Sequence, residues 1–165
     1  DPELAFPAAE VRPVCAHLRL FLQHQRELLA ARVRSGRIVE GHGDLRPEHI
    51  WLGTPPAIID CLEFSVELRT VDSADELAFV ALECERAGAA ALGSALLQEF
   101  AALWGDAPPG ELVGFYQGVR GCVRAGIALW HLKEPRYRGS PAWRERAAQY
   151  LQLADRKSTR LNSSH

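Results

Sequence analysis

From Pro13 to Arg34, apolar residues fall at Leu18, Phe21, Leu22, Leu29 and Val33, which is one face of a 3.6-residue period. The spacing predicts one long helix. Pro13 suits its first turn, where a missing N–H costs nothing, and Gly36 suits its stop. The pattern then changes. Short apolar runs at Arg37–Glu40, His49–Leu52 and Ala57–Leu62 are divided by GHGDLRPE and GTPP. They predict three strands separated by loops.

Everything after these runs reads as helix. Ser73 followed by Glu76 has the spacing of a capping box and opens a helix through Arg86. A second helix is predicted from Ala89 to Trp104, with Gly105 as its stop. A third runs from Glu111 to Leu132 and aligns Leu112, Tyr116, Val119, Val123, Ile127 and Trp130 on one side. Ser140 and Pro141 open a last helix through Leu153, with Trp143, Ala147, Tyr150 and Leu151 as its apolar face. No internal repeat interrupts this order. The predicted class is α+β: a mostly helical chain around a small β core that carries a loop.

Composition narrows the picture. A length of 165 residues fits one domain. No stretch of 18 apolar residues exists, so no transmembrane helix is expected, and no basic-then-apolar leader opens the chain. A net charge of -2 gives no footprint for nucleic acid or an anionic membrane. Cys15, Cys61, Cys84 and Cys122 form no CxxC pair, which argues against a zinc ribbon or disulfide framework and points to the cytoplasm. Both ends look unusual. The chain has no methionine and starts at Asp1, so its N-terminus is expected to be missing or processed. After Ala154 the composition turns to DRKSTRLNSSH, which matches the translation of a sequencing-library adapter. Residues 1–154 are therefore read as the domain and residues 155–165 as a non-native tail outside the fold. Without the tail, 16 basic residues face 20 acidic ones, a net of -4.

The chemistry concentrates in GHGDLRPEHIWL and PAIIDCLEF. His42, Asp44, Arg46, Glu48 and His49 share one loop between apolar runs, where reactive groups are commonly mounted. Asp60 follows Ile58 and Ile59, so a carboxylate is expected to emerge from a buried strand. In such a place it needs a partner, a proton or a metal.

HGDLRPEHI resembles the catalytic loop of the protein-kinase-like superfamily, H-x-D-L-x-P-x-N. Its HGDL form resembles the aminoglycoside phosphotransferase family, as do the later IID followed by an acid and the segment DSADELA. HGDLRPEH, LEF, DELAFVALECER and ALWHL together resemble a bacterial subgroup in which this domain often precedes a P-loop ATP-binding domain. The likeness spans Pro13 to Ala154 and implies a protein-kinase-like C-terminal lobe. It implies ATP and Mg²⁺ as cofactors and a small-molecule hydroxyl as acceptor. The other implied partner is a fused or associated P-loop domain. By the same resemblance Asp44 is the catalytic base, Arg46 offsets charge on the transferring phosphoryl group, Asp60 holds the metal against the phosphates, and His42 braces the loop.

His49 departs from the pattern, because the family has asparagine there. Mg²⁺ prefers oxygen to imidazole nitrogen. So one metal alone binds well, or Mn²⁺ is tolerated, or His49 has another task. Cys61 and Leu62 also replace the usual Phe-Gly or Phe-Glu, and Glu63 comes one residue late.

A kinase also needs a glycine-rich loop and a strand lysine. The only lysines are Lys133 and Lys157, and no GxxxxGK[ST] motif occurs. The chain is thus read as a catalytic lobe without its N-terminal lobe, inactive alone. Two other functions fit the residues. One is a kinase-like module that has lost phosphotransfer and serves binding or regulation. The other is a metal-dependent hydrolase using His42, Asp44, His49 and Asp60 with Zn²⁺ or Mn²⁺. Asp72, Ser73 and Glu76 are explained by a helix start alone, and Glu48 by solvent.

Overall fold

In the computed structural model, which describes Phe6 and residues 8–162, helices dominate and the strands are short. The order is α1 (Ala8–His24), α2 (Arg26–Arg34), β1 (Ile38–Glu40), β2 (Ile50–Trp51), β3 (Ala57–Ile58), α3 (Val66–Arg69), β4 (Thr70–Asp72), α4 (Ser73–Arg86), α5 (Ala90–Trp104), α6 (Gly110–His131) and α7 (Pro141–Asn162). The strands form two antiparallel two-stranded sheets. The chain divides into two compact units. One is Gln25–Tyr116, and the other joins Asp1–His24 to Gln117–His165. Among the described residues no helix is long and apolar enough to cross a membrane.

The first unit holds both sheets. β1 pairs with β4, setting Ile38 opposite Asp72, Val39 opposite Val71 and Glu40 opposite Thr70. β2 pairs with β3, setting Ile50 opposite Ile58 and Trp51 opposite Ala57. β4 runs directly into α4. The helix begins where expected, but its cap is Asp72, whose carboxylate accepts the Ala74 N–H at 2.9 Å. The capping box does not form. Ser73 donates its hydroxyl to Asp106 at 3.2 Å, and Glu76 turns to the loop described below. α4 buries Ala74, Ala78, Phe79 and Leu82 completely. α5 crosses it at Gly93, where a Cβ would lie 2.8 Å from the Ala81 Cα. Only glycine permits that approach.

A charged cluster lies inside the same unit. Arg32 is buried and forks onto two carboxylates, giving Asp72 contacts of 2.9 and 2.6 Å and Asp106 contacts of 2.5 and 2.8 Å. Tyr116 donates its hydroxyl to Asp72 at 2.9 Å. These bonds, first to Asp72 and then to Asp106, raise the Arg32 guanidinium further above its ordinary pKa. The same contact holds the Asp106 carboxyl below the usual carboxylate value. Burial pushes the Tyr116 phenol up, with the Asp72 charge adding to it.

Three expectations fail in instructive ways. The single helix over Pro13–Arg34 is two helices broken at Gln25. The run Gln23–Glu27 is polar and buries no side chain fully, so packing gives nothing to hold a helix through it. In α2 the buried residue is Arg32, while Val33 is exposed. Pro13 sits inside α1 rather than in its first turn, where it removes one backbone donor. Asp60 does not leave a buried strand either, since Ile58 and Ile59 are both exposed.

In the second unit α1 packs on α7. Val14, Leu18 and Phe21 are buried on α1, and Ala147, Tyr150, Leu151 and Ala154 on α7. At Gly121 of α6 a Cβ would lie 3.0 Å from the Ala154 Cβ and 3.1 Å from the Tyr150 carbonyl oxygen. That half of α6 therefore buries small residues, Ala125 and Ala128, beside Leu129, and Leu132 is buried just past its end. The expected stripe through Val123, Ile127 and Trp130 faces solvent instead. α7 also runs past Ala154 to Asn162. Ala147, Tyr150, Ala154, Ser158 and Leu161 are all buried, at intervals of three and four that keep one helical face. The segment expected to lie outside the fold thus continues the packed stripe as far as Leu161.

Candidate active site

The loop between β1 and β2 is built from its backbone outward. Gly41 donates its N–H to the Arg69 carbonyl at 2.7 Å. Leu62 donates to the His42 carbonyl at 3.0 Å, and Ile59 to the His49 carbonyl at 2.9 Å. The loop is thereby tied at both ends to the chain that follows β3. Gly43 has a φ of 86°, and a Cβ there would meet the Leu62 side chain at 2.8 Å and the Leu68 carbonyl oxygen at 2.9 Å. Glycine is required on both counts.

Glu76, buried one turn into α4, supports the loop from beneath. Its carboxylate accepts the Gly43 N–H at 2.7 Å and the His42 N–H at 3.2 Å. A buried carboxylate that accepts two backbone donors satisfies them and itself. Arg69 adds a second strut. Its guanidinium donates to the Leu62 and Glu63 carbonyls at 3.1 and 3.2 Å and to the Glu40 carboxylate at 2.7 and 2.9 Å.

His42 is structural in this arrangement. Its Nε2 bonds the Ile59 carbonyl oxygen at 2.7 Å and its Nδ1 accepts the Asp44 N–H at 3.3 Å. Its ring stacks on that of His49 at 5.3 Å between centroids. Both ring nitrogens are engaged, so His42 offers no lone pair to a metal.

Asp44 follows with its side chain 24% exposed. Arg46 donates from Nε to Asp44 at 3.1 Å, from one terminal nitrogen to Glu48 at 2.5 Å, and from the other to His49 Nε2 at 2.9 Å. Glu48 is exposed, as expected, and from the solvent side it also anchors Arg46. His49 is buried, and its Nδ1 lies 2.9 Å from the Asp44 carbonyl oxygen. A carbonyl only accepts and a guanidinium only donates. The bonding pattern therefore puts the ring proton on Nδ1 and leaves Nε2 bare.

Asp60 comes to the same place from β3. Its Oδ2 lies 3.4 Å from His49 Nε2, and its side chain is 78% exposed. Its φ of 62° is left-handed, a conformation that aspartate tolerates better than most residues. Such backbone outliers concentrate at functional sites. Asp44, Arg46, His49 and Asp60, the residues singled out in the sequence, are therefore brought together, with His42 as support. Among the described residues no three His, Cys, Asp or Glu side chains converge as a metal cluster. Both ring nitrogens of His49 are engaged as well, so Asp60 is the exposed side chain here that presents a free carboxylate oxygen to solvent.

Sequence reasoning missed Glu76, Arg69 and the Arg32 cluster. The one local signal was the acid in DELA, which a helix start seemed to explain. Arg32 meets partners 40 and 74 residues away, and no local pattern marks such pairs.

No family model matches the chain, and no solved structure matches it. Two relatives are the uncharacterized protein Rv2004c of Mycobacterium tuberculosis, strain H37Rv, and the uncharacterized protein Mb2027c of Mycobacterium bovis. Each is 41% identical over 108 residues, covering 65% of this chain and 22% of the relative. The chain thus spans about a fifth of the length of the curated relatives it matches.

Proposed function

We propose that this chain is a protein-kinase-like C-terminal lobe, the catalytic half of an ATP-dependent phosphotransferase that acts on a small-molecule hydroxyl. The observation that carries the reading is the convergence of Asp44, Arg46, His49 and Asp60 at a loop whose backbone is tied by Glu76 and three backbone hydrogen bonds. The HGDL resemblance supplies the chemistry and the geometry is compatible with it.

In this reading the Asp44 carboxylate accepts the hydrogen of the acceptor hydroxyl and aims its oxygen at the phosphoryl group. Its main chain is fixed on both sides, so the carboxylate needs little reorganisation to do so. Arg46 offers the positive charge that the transferring group needs. Asp60, with His49 beside it, would hold a divalent ion, whose charge would offset that of the ATP phosphates. The imidazole nitrogen that faces the Asp60 carboxylate at 3.4 Å already accepts from Arg46, so Asp60 is the side chain that would carry most of that task. His49 is also the strut between Asp44 and the ring of His42, which is the further task that its departure from asparagine suggests.

The glycine-rich loop and strand lysine of a complete kinase are not in this sequence. The purified chain is expected to bind ATP weakly or not at all by calorimetry. The decisive test is steady-state phosphorylation of a panel of hydroxyl compounds by the full-length parent protein. Asp44→Asn is expected to lower turnover by at least 1,000-fold with an unchanged circular-dichroism spectrum. Full activity in that variant would remove Asp44 from the chemistry. A second reading, a kinase-like binding module without turnover, is favoured by the Cys61–Leu62 segment and by the engagement of Arg46 with Asp44. Nucleotide binding without phosphorylation of any acceptor by the parent protein would select it.

A further inference from the structure

A cavity of about 430 Å³ opens in the second unit, between α1 and α6. The two helices touch at Gly118, where a Cβ would lie 2.9 Å from the Leu18 side chain. Beyond that contact the cavity lies between them, with Cys15 and Val11 on the α1 wall, Cys122 and Leu129 on the α6 wall, and Leu151 of α7 alongside. Gly126 also lines it, and a Cβ there would meet nothing within 4 Å. A glycine in mid-helix is unfavourable, and no crowding demands this one. What its bare Cα adds is room. Burial pushes the Cys122 thiol up to about 11, with Cys15 adding to the shift. At neutral pH Cys122 is therefore an uncharged thiol and serves as part of an apolar wall. One residue of the lining is charged. Arg12 lines the cavity yet is exposed, which puts it at the mouth, and no carboxylate among the described residues pairs with it.

We propose that this cavity is a binding site for an aliphatic carboxylate, with the hydrocarbon chain between α1 and α6 and the carboxylate on Arg12. Cavities of this size and lining hold organic ligands, and a few polar groups fix their orientation. An apolar void is a poor place for water and a good one for hydrocarbon. The single cation at the mouth then selects the head group, because a guanidinium pairs with a carboxylate through charge-assisted bonds. A purely apolar molecule leaves Arg12 unused, and a doubly charged one must bury a charge against the thiols and leucines. An apolar body with one anionic end satisfies both parts of the site. The cavity shares no residue with the loop that carries Asp44, and the proposal does not rest on the phosphotransferase reading.

The test is calorimetric titration of the purified chain with decanoate, with octanoate and decanol for comparison. Affinity is expected to rise roughly fourfold per methylene from octanoate to decanoate, since each added group leaves water. Decanol should bind about tenfold more weakly than decanoate, because it brings no charge to Arg12. Arg12→Gln should remove that difference by weakening decanoate alone. Gly126→Phe puts a ring into the open space and should abolish binding with an unchanged circular-dichroism spectrum. A readout in the unaltered chain covers the case in which that variant does not fold. Decanoate should slow N-ethylmaleimide labelling of Cys15 and Cys122, located by mass spectrometry, while the exposed Cys61 labels as before. No saturable binding of decanoate overturns the proposal outright. Binding that survives in a folded Gly126→Phe variant, or that leaves the labelling of Cys15 and Cys122 unchanged, overturns it too, because the ligand then sits elsewhere. Equal affinity for decanol and decanoate overturns the role of Arg12. None of these measurements involves nucleotide or turnover, so the proposal stands or falls whether or not phosphotransfer is found.

Discussion

Replacing Glu76 by glutamine changes one atom beneath the loop and should loosen it measurably. The carboxylate accepts the Gly43 N–H at 2.7 Å and the His42 N–H at 3.2 Å. Glutamine keeps one oxygen and presents an NH₂ where the other stood. One charge-assisted bond becomes neutral, at a cost of about 1 kcal/mol. The other becomes a contact between two donors, at about 2 kcal/mol for a buried group left unsatisfied. The sum is ~3 kcal/mol, or roughly 100-fold in the equilibrium for opening the loop. Native-state hydrogen exchange reads this directly at the Gly43 and His42 amides. Their protection should fall by about two decades in Glu76→Gln, while the amide of Leu82, further along the same helix, falls less. Glu76→Asp, one methylene shorter, should behave similarly because it cannot reach both donors. Protection at Gly43 within threefold of wild type would refute the claim that Glu76 carries the loop.

The Arg32 cluster makes stability depend on acid. Asp106 has its carboxyl held below its ordinary value of 3.8 by Arg32, so its contribution is present above pH 4 and is lost as pH falls through the depressed value. Urea midpoints should drop between pH 4 and pH 2, and Asp106→Asn, which costs about 3 kcal/mol at neutral pH by leaving Arg32 underpaired, should flatten that dependence. Two glycines of α6 should respond oppositely to alanine. Gly126 meets nothing within 4 Å of a built Cβ, so Gly126→Ala should gain up to about 1 kcal/mol from helix propensity. Gly121→Ala must push against Ala154 and Tyr150 and should lose about 1–2 kcal/mol, as thermal or urea denaturation will show.

The parts of this protein that local chemistry dictates were readable. α4 begins and ends where its pattern predicts, and the predicted and observed limits of α5 and α6 differ by one residue at each end that moves. The loop residues Asp44, Arg46 and His49 were named from their motif, and Asp60 from its place after an apolar run. Distant pairing was not readable. β4 is three residues long and exists because β1 lies beside it. The buried face in the second half of α6 was misassigned because Val123, Ile127 and Trp130 make as good a stripe as Ala125, Ala128 and Leu129. The choice between them was made by the close approach at Gly121, which involves α7. Glu76 was read as a cap because the capping pattern is local, whereas its partners are 33 and 34 residues back.

Asp72 sets the first turn of α4, and Glu76 stands four residues later, one turn along the same helix. The cap therefore fixes the phase at which the Glu76 carboxylate rises toward the loop. The exposed turn between Trp51 and Ala57 can change length over generations without disturbing that phase. A single residue inserted or deleted between Asp72 and Glu76 would rotate the carboxylate by about 100° and leave two backbone donors facing nothing. Genes descended from a common ancestor that keep the HGD loop in working order are thus expected to vary in the length of that turn, but to keep the interval from cap to acid at four.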